Sequence, residues 1–239
     1  MMTEIGYIAA SVLLIVALIV AVVAEVKVTS TYSKYSNVKA ESGITGRQLA
    51  EMIISASGLD VKINVIKGKL TDNYDPSRKV LNLSAENVDS CSVAALGVVA
   101  HECGHALQDA KNYKPLIIRQ RVIKTTNFVS RLLMPLLIVG LVLDLMTVGG
   151  VTGMVFIWVA VAFYGMAVLA NLVTLPVETN ASRRAMKMLE GFEVLESGEL
   201  AQTRKVLSAA ALTYLASLLL SLAYLLRFLF IALSVISDR

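Results

Sequence analysis

Residues 101 to 105 read His-Glu-Cys-Gly-His, and His101 and His105 are the only two histidines in the chain. Residues four apart on an α-helix lie on one face. Two imidazoles placed so can hold one ion, and Glu102 beside the first can reach a water bound to it. Zinc suits two imidazoles and a carboxylate, with water in the fourth position. The bound ion brings the pKa of that water to about 7. Glu102 can then take the proton and return it to a leaving amine. The expected cofactor is one Zn2+ per chain, with His101 and His105 as ligands and Glu102 as general base.

The third ligand cannot be a histidine. Cys103 lies two residues from each histidine, so it faces away and is expected to pack. Asp109 continues the histidine face, but ligands at i, i+4 and i+8 span about 12 Å of helix, too far for one ion. It reads as a partner of His105 or as plain surface. The carboxylate must therefore arrive from another element, and "TLPVETNASRRAMKMLEGFEVLESGEL" offers candidates. Glu178 is favoured: it follows Pro176, and proline suits the first turn of a helix, so Glu178 is expected to open a new helix at the membrane surface. Glu190, Glu193, Glu196 and Glu199 lie further on, near Gly191 and Gly198, in a stretch that reads as solvated. Ser182 and Asn180 are candidates to hold the ligating groups from behind. Arg183 and Arg184 read as lipid-headgroup contacts or as an oxyanion donor. Tyr74 and Tyr113 are further oxyanion candidates. Gly104 leaves the approach beside the ion uncrowded.

Such a site must be held by the rest of a very apolar chain. Of 239 residues, 56% are hydrophobic and 17% charged, and the mean hydropathy is +0.69, which points to a membrane protein. The net charge of +4 is modest. Basic residues are not interleaved with aromatics, so no nucleic-acid partner is expected. The two cysteines, Cys91 and Cys103, exclude a disulfide framework and a four-cysteine zinc site.

Four segments have the roughly 20 apolar residues that a bilayer span requires. Residues 5–24 lack a basic leader and a cleavage pattern, and so read as an anchor. Residues 128–148 and 151–175 form a transmembrane hairpin about "GG", and residues 206–236 form the last span. The polar regions 25–127 and 176–205 then share one side and carry nineteen of the 22 basic residues. The positive-inside rule makes that side cytoplasmic. Asp144, in the second span, keeps a transport role open and can pair with Arg131.

Region 25–127 reads as a small catalytic unit. "GITGRQLAEMIISASGL" is an amphipathic helix with Leu49, Met52, Ile53 and Ala56 on one face. "VKINVIKG" and "KVLNLS" alternate as strands and are expected to form a β-hairpin with a long connection, "NYDP" marking a turn. Asp89 and Ser90 are candidate N-caps for the motif helix, which is expected to reach about Lys111. "KVLNLS" is a candidate free edge on which an extended peptide could lie. The fold class expected is a mainly α membrane protein: four transmembrane helices with a small α+β, zincin-like catalytic region containing the His-Glu-x-x-His helix and a β-hairpin.

"TDNYDPSRKVLNLS", "SVAALGVVAHECGHALQ", "LPVETNASRRAM" and "VLSAAALTYLAS" together give the chain a resemblance, over most of its length, to the YugP-like neutral zinc metallopeptidases, membrane proteins of bacteria. The resemblance implies zinc held by His101, His105 and Glu178, with Glu102 catalytic. It is similar in plan to membrane proteases of the HtpX and CAAX type. Thr179 stands where an aromatic commonly follows that glutamate, a departure that touches the pocket and leaves the ligand in place. The function expected is a multi-pass zinc metalloendopeptidase of the bacterial cell membrane, cutting a peptide or membrane-protein substrate near the cytoplasmic surface. An intramembrane protease is the alternative, but the apolar run "SVAALGVVA" before His101 is too short to cross. A non-enzymatic membrane protein with a structural metal is a third reading, and such sites usually close all four positions with protein ligands.

Overall fold

The computed structural model describes residues 2–129 and 151–237. Its helices are α1 (Met2–Tyr35), α2 (Gly46–Ala56), α3 (Ala85–Val88), α4 (Val93–Ala110), α5 (114–129), α6 (Val151–Gly191) and α7 (Ser197–Ser237). Three strands, β1 (Lys62–Ile66), β2 (Asn73–Asp75) and β3 (Val80–Ser84), lie between α2 and α3. Three described helices are long and apolar enough to cross a membrane: Ile5–Tyr35, Val155–Gly191 and Ser197–Ser234. The expected span 128–148 lies outside the described residues save its first two, and Arg131 and Asp144 lie outside them too.

Pro176 was expected to begin a helix, but it sits inside α6, which is continuous. Proline removes one i→i−4 hydrogen bond. Breaking the helix beside an apolar stretch would strand several more backbone groups, so staying helical costs less. Thr174 and Thr179, on either side, donate their hydroxyls to the carbonyls of Ala170 and Leu175.

The chain divides into two compact units. One comprises Met1–Val23, Ile118–Thr174 and Tyr214–Arg239. In it Leu14 and Ala17 of α1 bury against Ala223 of α7, while Ile8, Val12, Ile15 and Ile19 point outward. Small residues inside and branched apolar ones outside suit helices that pack in lipid. Tyr164 stacks with both Tyr224 and Phe228, and Asn171 donates to Ser217 O and Ser221 Oγ.

The other unit comprises Ala24–Ile117 and Leu175–Thr213. Thr45 and Gln48 close a capping box that starts α2. The buried face of α2 is Gly46, Leu49, Ala50 and Ile53, so Met52 and Ala56, expected inward, are exposed. The strand order is β1-β3-β2, with β1 parallel and β2 antiparallel to β3. The expected hairpin of "VKINVIKG" with "KVLNLS" is thus corrected: those strands are β1 and β3, and they run parallel. The hairpin is β2–β3, and β2 lies within the "NYDP" stretch expected only as a turn. A parallel pair needs a long return, and the excursion through β2 supplies it. Asp75 Oδ1 accepts from the backbone N–H groups of Ser77 and Arg78, fixing the turn. Asn64, Asn82 and Asn73 link their amides across the three strands.

Ser84 caps α3, and Ser92, rather than Asp89 or Ser90, caps α4 by accepting from Ala95 N–H. α4 is the central element of this unit. Leu96, Val99 and Cys103 of α4 pack with Leu49 and Ile53 of α2, Leu81 and Leu83 of β3, and Leu189 of α6.

Candidate metal centre

α4 carries His101 and His105 on one face, with ring centroids 4.8 Å apart. α6 crosses that face and presents Glu178, which is 3% exposed. Glu178 Oε2 lies 3.1 Å from His101 Nε2 and 3.4 Å from His105 Nε2. Four ligands placed tetrahedrally at about 2.0 Å from zinc lie about 3.3 Å from one another, so the two distances from Glu178 to the histidines are those expected between zinc ligands. The three candidate ligand atoms all lie within 4.8 Å of one another.

Why α6 comes so close is visible at Gly104. A Cβ built there would sit 2.6 Å from the Ala181 carbonyl oxygen. The two backbones are therefore in contact at Gly104. The glycine's role is this helix–helix contact rather than open space beside the ion.

The other ring nitrogens are held as well. His101 Nδ1 is 3.1 Å from Ser182 Oγ, and His105 Nδ1 is 3.0 Å from Gln108 Oε1. Gln108 is fully buried, and its Nε2 donates to Val177 O at 2.8 Å and to Asn180 Oδ1 at 3.0 Å. A backbone carbonyl only accepts, so the amide NH2 must face Val177 and the amide oxygen must face His105. The acceptor Oε1 then fixes the proton on His105 Nδ1. In the neutral ring, Nε2 is left as a bare lone pair aimed at a carboxylate oxygen. Two lone-pair donors facing each other in a buried site need a cation between them, or a proton on the imidazole. The donor chemistry therefore fits a divalent metal.

Glu102 is buried beside the pair, and Tyr74 N–H donates to its Oε2 at 3.0 Å. Burial raises the Glu102 pKa above the ordinary carboxylate value, and the nearby His105 and His101 pull the other way. Burial works against a charge on His105, but the Glu178 and Glu102 carboxylates outweigh it and leave that pKa raised. A carboxyl that holds its proton more readily is suited to general acid–base work near neutrality.

Other candidates take other places. Asp109 was read as a partner of His105 or as surface. It accepts instead from the Tyr74 hydroxyl at 2.6 Å and from Lys79, tying the β2–β3 hairpin to α4. Tyr74 meets Glu102 through its backbone, while its phenol is committed to Asp109; burial, and after it the Asp109 carboxylate, pushes the Tyr74 pKa up. Tyr113 lies beyond α4, its N–H on Gln108 O. Asn180 is bound by Gln108 and by Arg184, whose Nε donates to it at 2.8 Å. Arg183 is exposed on the same helix. Glu199 receives the N–H groups of Glu41 and Glu196 and caps α7; Glu190, Glu193 and Glu196 are exposed, so none of the four joins the histidines. Cys103 is fully buried in the core, which holds its thiol protonated. The expected peptide-binding edge "KVLNLS" is β3, the central strand, with both edges filled. Gln108 was missed, although its position three residues after His105, on the same face, was the available signal.

A helical His-Glu-x-x-His with a glutamate brought in by a second helix is the plan of a zinc metallopeptidase, and the chain belongs to the family described as "Putative neutral zinc metallopeptidase", which matches residues 10–233. Among its relatives is the "Putative membrane protease YugP" of Bacillus subtilis (strain 168), 40% identical over 212 residues, covering 88% of this chain and 91% of the relative. No solved structure matches the chain.

Proposed function

We propose that the protein is a membrane-bound zinc metalloendopeptidase of the gluzincin kind, with His101, His105 and Glu178 as metal ligands and Glu102 as general base. The observation that carries this is the convergence of two Nε2 atoms and Glu178 Oε2 at 3.1 and 3.4 Å, with the His105 tautomer set by Gln108. Zinc, when bound, supplies a Lewis acid and water made nucleophilic at neutral pH. Glu102 takes the proton of the attacking water and delivers it to the departing amine. Ser182 and Gln108 hold the imidazoles in position from behind. β2 is an edge strand whose Tyr74 N–H points to Glu102, so an extended substrate backbone laid along β2 would pass the general base. The excess of basic residues in regions 25–127 and 176–205 supports a cytoplasmic position for this site.

α4 is not among the described helices long and apolar enough to cross a membrane, which weighs against cleavage inside the bilayer. Among the described residues the group numbers three candidate protein ligands, which suits a hydrolytic site with water as the fourth ligand better than a closed structural one. The test is metal analysis together with digestion of a peptide library. Glu102→Gln should keep stoichiometric zinc and lose hydrolysis by about 100-fold or more. Undiminished cleavage by that variant would remove Glu102 from the chemistry.

A further inference from the structure

A groove of about 460 Å3 lies between α1 and α7, away from the metal centre. Lys27, Thr31 and Lys34 line it from α1, at i, i+4 and i+7 on one helix face. Lys205 and Ser208 line it from α7. No carboxylate is among the lining residues, and none of the three lysines is in an ion pair among the described residues. Three like charges around one groove repel each other, so an anion there is favoured by all three at once. The two hydroxyls add donors suited to phosphate oxygens.

The groove also has a direction. Lys34 and Lys205 lie towards one end, since Tyr35 and Val206, which follow them in the chain, belong to one buried cluster. Ala209 and Leu212 make the other end apolar. Lys27 follows Ala24 by three residues, about 4.5 Å of helix, and Ala24 closes the apolar segment of α1. Lys205 directly precedes the apolar segment that begins at Val206. The groove therefore straddles the level at which both helices change from apolar to polar. We infer that it binds the phosphate of an anionic phospholipid, with the lysines and hydroxyls on the headgroup and Ala209 and Leu212 against the first acyl carbons. This inference does not rest on the metal reading.

The test uses the full-length protein in a neutral detergent, titrated with phosphatidylglycerol, phosphatidylcholine or inorganic phosphate, with bound lipid counted by native mass spectrometry. Each lysine near an anionic headgroup should contribute about fivefold, so K27Q/K34Q/K205Q should lose roughly 100-fold in affinity for phosphatidylglycerol. The control K62Q/K67Q/K187Q removes the same charge from exposed positions outside the groove and should bind as wild type does. The groove lysines are exposed, so thermal unfolding without lipid and zinc content should match wild type in both triple variants. Equal loss in the two triple variants, or equal wild-type affinity for phosphatidylcholine, would overturn the site. Displacement of the lipid by inorganic phosphate at matched concentration would overturn the lipid assignment in favour of a free anion.

Discussion

Gly104→Ala is the sharpest perturbation of the proposed centre, because it adds one methyl at a helix contact without touching a ligand. The new Cβ would lie 2.6 Å from Ala181 O and 3.2 Å from Ala181 C, whereas ordinary contact begins at 3.4 Å. The opposing atoms are backbone, so no side chain can rotate away, and α6 must retreat by about 0.8 Å, the difference between 3.4 and 2.6 Å. Metal–ligand distances tolerate about 0.2 Å. Glu178 lies three residues from Ala181, about one helical turn, so the shift is passed to its carboxylate. Overpacking of this kind costs about 1–3 kcal/mol. If that strain opposes metal binding, zinc affinity falls by about 5- to 150-fold. Competition with a chromophoric chelator measures the affinity, and Gly165→Ala is the control, since a Cβ there meets nothing within 4 Å. Wild-type zinc affinity in Gly104→Ala, at unchanged thermal stability, would refute the claim that this close approach sets the ligand geometry.

Gln108→Leu should weaken zinc binding by about 10- to 100-fold, because the buried His105 Nδ1–H loses its acceptor, and Gln108→Glu should recover part of the loss. Unchanged affinity in the leucine variant would argue against a positioning role. Zinc uptake should also release about one proton when the metal-free protein is below the raised His105 pKa, since Nε2 must be bare to coordinate. Apparent affinity should then rise with pH up to that pKa and level off above it. Calorimetry in buffers of different ionisation enthalpy reads the proton count, and a value of zero throughout would exclude His105 as the ligand that loses a proton.

The features legible in the sequence were those set by short-range periodicity. His101 and His105 share a face because a helix repeats every 3.6 residues, and α4 is helical through both. Three of the apolar segments are evident from length alone. Pairing between distant strands is not a local property, and β1 with β3 was misread for that reason. Alternation identifies a strand but not its neighbour or its direction. β2 was hidden because its three residues overlap a strong turn signal at Pro76. Pro176 misled in the same manner: proline favours a first turn, and nothing local in the sequence shows that the helix here continues through it despite the lost hydrogen bond. Gln108 has no signature of its own, since a buried glutamine is distinguished only by the groups it meets in three dimensions.

The apolar character of the chain and the position of the site have a common physical origin. Glu178 is delivered by α6, the same helix that carries the apolar segment 151–175, and it lies two residues beyond Pro176. Within the unit that holds the site, Val177, Glu178, Ala181 and Ser182 share one helical run, so their rotation relative to one another is set at about 100° per residue. The Thr179 hydroxyl, bonded back to Leu175 O, lies beside Glu178 on this run, which serves as the mount of the carboxylate. Gly104 sets the distance of that mount from α4, and Gln108 joins its Val177 carbonyl to His105. The two helices are thus registered in rotation, separation and hydrogen bonding at the same three turns that carry the proposed ligands. A buried donor set can keep its spacing in this way when no third histidine is present to complete it.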